Sequence, residues 1–381
     1  MPAKPSRRDF IAASLALPAL GAAMTGSSAA ADRAPRQKRR LGNTGLEIDP
    51  LGFGCMITSD PSVIARALDM GLDFYDTALV YQGGNNEKMV GQALGARRKD
   101  VVLCTKTPST TRDKALADLD TSLASLGTDH VDIWYLHGKS KPEDLSDELI
   151  EAQQIAKQKG KIRFAGVSTH SGHAALFPAV IAKRSHFDVI LTSYNFSMEP
   201  TMEGLISQAS EAGIGVVAMK TMAGGFRKQK ADAPLGKILG RDGALPAALK
   251  WVLRNPKVDV AIPSMTDMDQ LEENFAATAL PFSTEDEKLL VAQLSLIRPL
   301  YCRSCGQCDG TCRQGIPVAD VLRHMSYVEG YGDYRLGRES YQALPRHVVQ
   351  ADCGACPSCT VSCPHGVQVA QRVARAQQWL A

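Results

Sequence analysis

From residue 51 onward, short apolar runs alternate with stretches whose apolar positions recur at helical spacing. Eight runs read as strands buried on both faces: 51–56, 72–77, 101–105, 131–136, 162–168, 189–194, 214–219 and 258–262. The intervening segments carry the other period. Between 114 and 126, for example, Leu116, Leu119, Leu123 and Leu126 fall three or four residues apart, and 145–159 behaves alike. Gly71, Gly127, Gly160 and Gly213 mark the returns. Strands and helices alternating in this way predict an α/β chain, a (β/α)8 TIM barrel.

Barrels of this kind place their chemistry at the C-terminal strand ends. Three of the predicted strands hand over to polar residues there. The run at 72–77 delivers Asp76, with Tyr81 five residues further on; 101–105 is followed by Lys106, and 131–136 by His137. A tyrosine near its ordinary pKa of about 10 is a poor acid at neutral pH. An adjacent ammonium favours the phenolate and lowers that value, a carboxylate can hold the ammonium in place, and a neutral imidazole can hydrogen-bond a carbonyl oxygen as it gains charge. Singly, each of these residues reads as structural. Together on successive strand ends they read as an acid–base site.

The segments FYDTALVY (74–81), CTKT (104–107), DIWYLHG (132–138), GVSTH (166–170) and IPSMTDMDQLEEN (262–274) resemble the aldo-keto reductases. So does the N-terminal hairpin RLGNTGLEIDPLGFG (40–54). The resemblance implies a barrel domain over 36–299 and hydride transfer between NAD(P) and a small carbonyl or alcohol substrate. Tyr81 would be the proton donor, Lys106 and Asp76 would tune it, and His137 would orient the carbonyl. It also implies cofactor contacts at Ser168, Thr169, Met219, Lys220, Ser264, Gln270, Glu273 and Asn274. Several positions depart from the family pattern. Thr169 stands for an asparagine, Leu191 for a glutamine, and Met219 for the aromatic that stacks on nicotinamide. Ser264 and Gln270 replace a lysine and an arginine suited to the 2′-phosphate, so NADP is not favoured over NAD. These departures motivate a second reading, in which the barrel is a scaffold for electron transfer or partner binding without nicotinamide chemistry.

Composition changes the picture at the C-terminal end. The chain has 381 residues, 44% hydrophobic, with a formal net charge of +3, which offers no case for nucleic-acid binding. Eight of its ten cysteines lie after residue 300. Cys302, Cys305, Cys308 and Cys312 form one C-x2-C-x2-C-x3-C run; Cys353, Cys356, Cys359 and Cys363 form another. Disulfides have no reason to repeat one tight spacing, and zinc is usually held by two separated pairs. Triply clustered thiolates suit iron-sulfur clusters. By resemblance to dicluster ferredoxins, Cys302, Cys305, Cys308 and Cys363 would hold one 4Fe-4S cluster, and Cys353, Cys356, Cys359 and Cys312 the other. That predicts a small ferredoxin-like iron-sulfur domain over 300–381, with a helical and Tyr-rich insert at 318–344 and a redox partner protein. Barrel plus dicluster resembles a ferredoxin-fused branch of the same family. Cys55 and Cys104, on predicted strands, read as packing residues.

Residues 1–31 read as a leader rather than fold. Arg7 and Arg8, followed by Phe10 and Ile11, an Ala- and Leu-rich segment and Ala29, Ala30 and Ala31, resemble a twin-arginine export signal. The apolar segment is short and broken by Pro18 and Gly21, so no stable membrane span is expected. The implied location is the periplasm, reached by a pathway that moves folded, cofactor-loaded proteins.

Overall fold

The eight apolar runs become eight strands that pair in chain order. In the computed structural model, which describes residues 37–225 and 242–381, an antiparallel hairpin comes first, β1 (Arg39–Arg40) with β2 (Glu47–Ile48). The parallel strands follow: β3 (Phe53–Gly54), β4 (Phe74–Asp76), β5 (Val102–Thr107), β6 (Val131–Leu136), β7 (Ile162–Thr169), β8 (Val189–Ser193), β9 (Gly215–Met219) and β10 (Val260–Ala261). Leu51 bridges Ala261, and the N–H groups of Gly52 and Gly54 donate to the carbonyls of Ala261 and Pro263 at 2.9 and 3.0 Å. First strand therefore meets last, and the sheet closes as a (β/α)8 barrel.

Strand periodicity sorts the side chains. Phe74, Cys104, Tyr135, Leu191 and Val217 point inward and pack with Leu41 and Ile48 of the hairpin, which plugs the barrel's N-terminal end. Their neighbours, such as Tyr75, Leu103 and Trp134, point outward under the helices. At Gly166 a Cβ would lie 2.4 Å from the Tyr135 ring, so only glycine lets that ring fill the interior.

The helices are α1 (Pro61–Asp69), α2 (Asn85–Leu94), α3 (Arg112–Leu126), α4 (Asp147–Gln158), α5 (His173–Ala182), α6 (Thr201–Glu211), α7 (Ala244–Leu253), α8 (Met268–Ala277) and α9 (Thr284–Ile297). Their starts are encoded locally. Asp60, Ser146, Asp267 and Ser283 each accept a hydrogen bond from a first-turn N–H, and Ser283 with Asp286 forms a capping box.

The cysteine-rich end adds α10 (Val318–Glu329), α11 (Tyr334–Gln342), α12 (Arg346–Val349) and α13 (Val369–Leu380), packed around Val321, Leu322, Met325, Tyr341 and Val373. Here the architecture differs from a ferredoxin-like expectation, because no strand follows Ala261 among the described residues. The insert between the cysteine runs carries Val318, Val321, Leu322 and Met325 at helical spacing, so it folds as helices on α13 and the cysteines sit in the flanking loops. This unit lies on the barrel mouth. Arg303 donates to Glu199 at 2.8 Å, and Gly330, just past α10, is so close that a Cβ there would meet the Gly224 carbonyl at 1.8 Å. No described helix is long and apolar enough to cross a membrane, and the export signal at 1–31 lies outside the described residues.

Candidate active site at the barrel mouth

Phe74 and Cys104 face inward, so Asp76 and Lys106, each two residues later, also face inward at the strand ends. His137 follows Tyr135 in the same way. Tyr81 opens a short 3-10 turn, Tyr81–Gly84, held back over the mouth. In that turn Gln82 adopts φ 52° and donates to the carbonyls of Met56 and Thr58 at 3.2 and 2.8 Å, a left-handed conformation retained because the side chain is tied down.

These placements bring the four residues together. The Lys106 ammonium donates to Asp76 Oδ2 at 2.6 Å, to the Thr77 carbonyl at 2.6 Å and to the Tyr81 hydroxyl at 3.2 Å. The rings of Tyr81 and His137 lie edge to face, centroids 6.1 Å apart. Burial opposes the charge on Lys106, but Asp76 and Tyr81 outweigh it and hold its pKa above the ordinary value. For Tyr81 the balance differs from the sequence-based expectation. Burial pushes the phenol up to about 12, and Lys106 offsets only part of that rise because Asp76 cancels much of its field. Burial, with Lys106, Arg323 and Lys139 nearby, lowers His137 to about 3, so its imidazole is neutral at physiological pH.

The expected cofactor positions divide. Met219, Lys220, Ser264 and Gln270 border a cavity of about 540 Å³ over the mouth, whereas Ser168, Thr169, Glu273 and Asn274 do not. The Ser168 hydroxyl accepts from the Gly138 N–H, and Thr169 donates to the Ser171 carbonyl, so both serve local loops. Gln270 is also engaged: its amide donates to Thr266 and Asp267 at 2.8 and 2.6 Å. Glu273 is on the exposed face of α8. Asn274 is fully buried, and neither polar atom of its side chain has a partner among the described residues; the Thr221 hydroxyl on the cavity wall is likewise unpartnered. The orphaned Thr221 hydroxyl leaves hydrogen-bonding capacity for a cofactor along this wall, so the residues present fit a nicotinamide dinucleotide there.

The cavity has a roof that the sequence did not assign. Arg323, His324, Tyr327 and Tyr331, from α10 and the turn after it, border it opposite Tyr81 and His137. Lys220 Nζ lies 5.2 Å from the centre of the Tyr327 ring, and Lys220 and Arg323 together favour the Tyr327 phenolate and lower its pKa against burial. His170, 6.3 Å from His137 between ring centroids, also borders it. The only signals in the sequence were the Tyr-rich character of 318–344 and the histidine closing GVSTH.

The cysteines fall into two groups. The Cys302 thiol lies in the field of Cys308, Cys305 and Cys363, and the Cys353 thiol in that of Cys312, Cys356 and Cys359. None of the ten cysteines forms a disulfide. Among the described residues no three His, Cys, Asp or Glu side chains stand close enough to hold a metal ion. Cys55 and Cys104 are fully buried in the barrel wall.

Similarity to known proteins agrees with this geometry. The description "Aldo/keto reductase family" matches residues 60–293. The uncharacterized oxidoreductase YqkF of Bacillus subtilis is 29% identical over 296 residues, covering 66% of this chain and 94% of its own. L-galactose dehydrogenase of Arabidopsis thaliana is 26% identical over 302 residues, covering 69% and 94%. Among solved structures, aldo-keto reductase AKR11C1 from Bacillus halodurans in its holo form superposes with a TM-score of 0.57 at 27% identity, covering 68% of this chain and 96% of its own. The thermostable aldo-keto reductase Tm1743 gives 0.55 at 30%, covering 67% and 99%. With a closed parallel barrel, a lysine bridging aspartate and tyrosine at its mouth, and a family match over more than half its length, the chain belongs to the aldo/keto reductase family and is an NAD(P)-dependent oxidoreductase.

Proposed function

We propose that the protein reduces a small carbonyl, or oxidises the matching alcohol, with Tyr81 exchanging the proton at the substrate oxygen. The observation that carries this is the Lys106 ammonium, 2.6 Å from Asp76 and 3.2 Å from the Tyr81 hydroxyl, at the C-terminal ends of the strands. When bound, the nicotinamide supplies or accepts hydride. Thr221 and Met219, on the cavity wall, are the side chains suited to hold it. Tyr81 donates its proton as the carbonyl oxygen gains charge; Lys106 stabilises the phenolate left behind, and Asp76 keeps the lysine in place. Neutral His137 hydrogen-bonds the same oxygen and fixes its approach. The test is turnover of short aldehydes by the full-length protein and its Tyr81→Phe variant. Undiminished turnover in the variant would remove the tyrosine from the reaction.

The two thiol groups support the further reading that Cys302, Cys305, Cys308 and Cys363 hold one 4Fe-4S cluster, and Cys353, Cys356, Cys359 and Cys312 the other. Such clusters pass electrons singly, which implies a redox partner protein. The leader, with Arg7 and Arg8, supports export through the twin-arginine route to the periplasm with both cofactors already in place. Iron and acid-labile sulfide at eight each per chain in anaerobically purified protein is the expected content; two zinc ions instead would refute the cluster assignment. A second reading, the barrel as scaffold without nicotinamide chemistry, is favoured by the side chains of Ser168, Thr169 and Gln270, which are all spent on local hydrogen bonds. Stoichiometric nicotinamide released from the purified protein supports the enzyme; protein that neither contains nor binds it supports the scaffold.

A further inference from the structure

The roof of the cavity holds more positive charge than the described residues around it offset. Lys106 is matched by Asp76 at 2.6 Å, and Arg323 by Asp320, Nη1 to Oδ1, at 2.7 Å. Glu339 also borders the cavity, but it is engaged by Arg335 at 2.7 Å. For Lys220 the described neighbours are Tyr327, Arg323 and the Cys302 thiol, with no carboxylate among them. A buried ammonium that no described carboxylate matches is costly to keep in a fold. Lys220 is moreover held at φ 55°, a left-handed conformation rare for a residue with a side chain, and such strain persists where a site requires it.

The direction this charge faces narrows its ligand. Arg323 acts electrostatically on both His137 and His170, and Lys220 acts on His170. Arg323, Lys220 and Tyr327 border the same cavity as His137 and His170, where a substrate carbonyl would sit. Beside it, His324 is 4% exposed and borders the cavity, and its Nδ1 has no partner among the described residues; the same is true of His170 Nδ1. Unmet hydrogen bonds next to a cation that no described carboxylate matches describe a place shaped for oxygen-rich, anionic chemistry.

The geometry points to Arg323, Lys220 and the Tyr327 hydroxyl as a carboxylate-binding subsite, so that the substrate is a short oxo acid or hydroxy acid. The guanidinium and ammonium hold the carboxylate, Tyr327 donates to it, and the carbonyl or carbinol carbon is left facing Tyr81 and His137. The subsite is built by the C-terminal unit and one residue after β9. It deepens the proposed carbonyl reduction and rests on that reading only for its kinetic arm.

The binding arm uses calorimetry on the full-length, cofactor-loaded protein with malonate and its uncharged analogue malonamide. Malonate is expected to bind at least about tenfold more tightly, the scale of a charge-assisted pair of hydrogen bonds. Arg323→Gln and Lys220→Met should each erase the preference, and Arg323→Lys should restore part of it. The kinetic arm compares kcat/KM for glyoxylate and glyoxylamide: the ratio should favour the acid and fall toward one in both variants. Equal affinity for malonate and malonamide in the unmodified protein would overturn the proposal, as would variants that keep the preference. Inorganic phosphate binding more tightly than malonate would also overturn it, by assigning the cluster to a cofactor phosphate. Should Arg323→Gln fail to fold, Lys220→Met decides the question. A malonate preference in a protein that turns over neither aldehyde would leave the subsite standing and refute the carbonyl chemistry instead.

Discussion

Two phenol–ammonium pairs face each other across one cavity, and their differences are more informative than their likeness. In the barrel wall Lys106 lies 4.8 Å from the Tyr81 ring centre; in the roof Lys220 lies 5.2 Å from that of Tyr327. Among the described residues only the first lysine has a carboxylate, and Asp76 is what holds it charged. That carboxylate also cancels field at the phenol, so burial prevails and Tyr81 rises to about 12. Burial acts on Tyr327 in the same sense, yet Lys220 and Arg323 together outweigh it and the phenol is lowered. Acidity at a buried phenol thus follows the local excess of cations, not the mere presence of a lysine.

The largest effect should separate the two hydroxyls. Tyr81→Phe is expected to lower kcat/KM for aldehyde reduction by about 10³-fold, the usual scale for removing a general acid. Tyr327→Phe should cost about tenfold, mostly through KM for carboxylate substrates, as for one lost hydrogen bond to a charged group. Equal losses in kcat would erase the division between a reacting phenol and a binding one.

The lysines should differ in stability. Lys106→Met strands Asp76, 3% exposed, without its partner, and breaking a buried pair in this way costs about 3–5 kcal/mol. Lys220→Met strands no acid among the described residues and removes a poorly matched charge, so urea denaturation should find it neutral or slightly stabilising. A large loss in Lys220→Met would show that the ammonium has an anionic partner in the folded protein.

What the sequence made legible follows the same boundary between wall and roof. All eight strands and the meeting of Asp76, Tyr81 and Lys106 could be anticipated, because strand period sets which residues face inward and where a run ends; the hairpin was expected from the family resemblance alone. The spacing of Leu116, Leu119, Leu123 and Leu126 announced α3 for the same reason. Nothing comparable linked Lys220 to Tyr327. Their approach depends on how α10 lies across the end of β9, which is a matter of packing between segments about a hundred residues apart in the chain. The sign of the Tyr81 shift was misjudged on related grounds: a motif names the neighbouring charge, whereas the desolvation opposing it is a property of the closed cavity.

Packing of roof on wall can be disturbed at one atom. A Cβ at residue 330 would sit 1.8 Å from the Gly224 carbonyl and 2.7 Å from that of Ser326, both backbone. Gly330→Ala should therefore cost about 1–3 kcal/mol and raise protease cleavage after α9. Gly204, exposed in α6 with nothing within 4 Å of its would-be Cβ, is the control, and its alanine variant should gain about 0.5–1 kcal/mol. If both variants lose stability alike, the contact between Gly330 and Gly224 is not what seats the roof.

The smallest effect at neutral pH concerns His324 in the roof and His137 in the wall. Burial, reinforced by Arg323 and Lys220, lowers His324 to about 3; burial, reinforced by Lys106, Arg323 and Lys139, does the same to His137. An unfolded histidine takes a proton near 6.5, so between that pH and about 3 the unfolded chain binds protons that the folded one refuses. The stability associated with each neutral imidazole is complete above pH 6.5 and is lost as the pH falls through this window. His324→Gln and His137→Gln should each leave the melting temperature at pH 7.5 little changed and lessen its fall between pH 6.5 and 4.5. Because both rings border the same roofed cavity, Gly330→Ala, which loosens the roof, should weaken the acid sensitivity contributed by both together. If the slope falls for one histidine alone, wall and roof open to water independently.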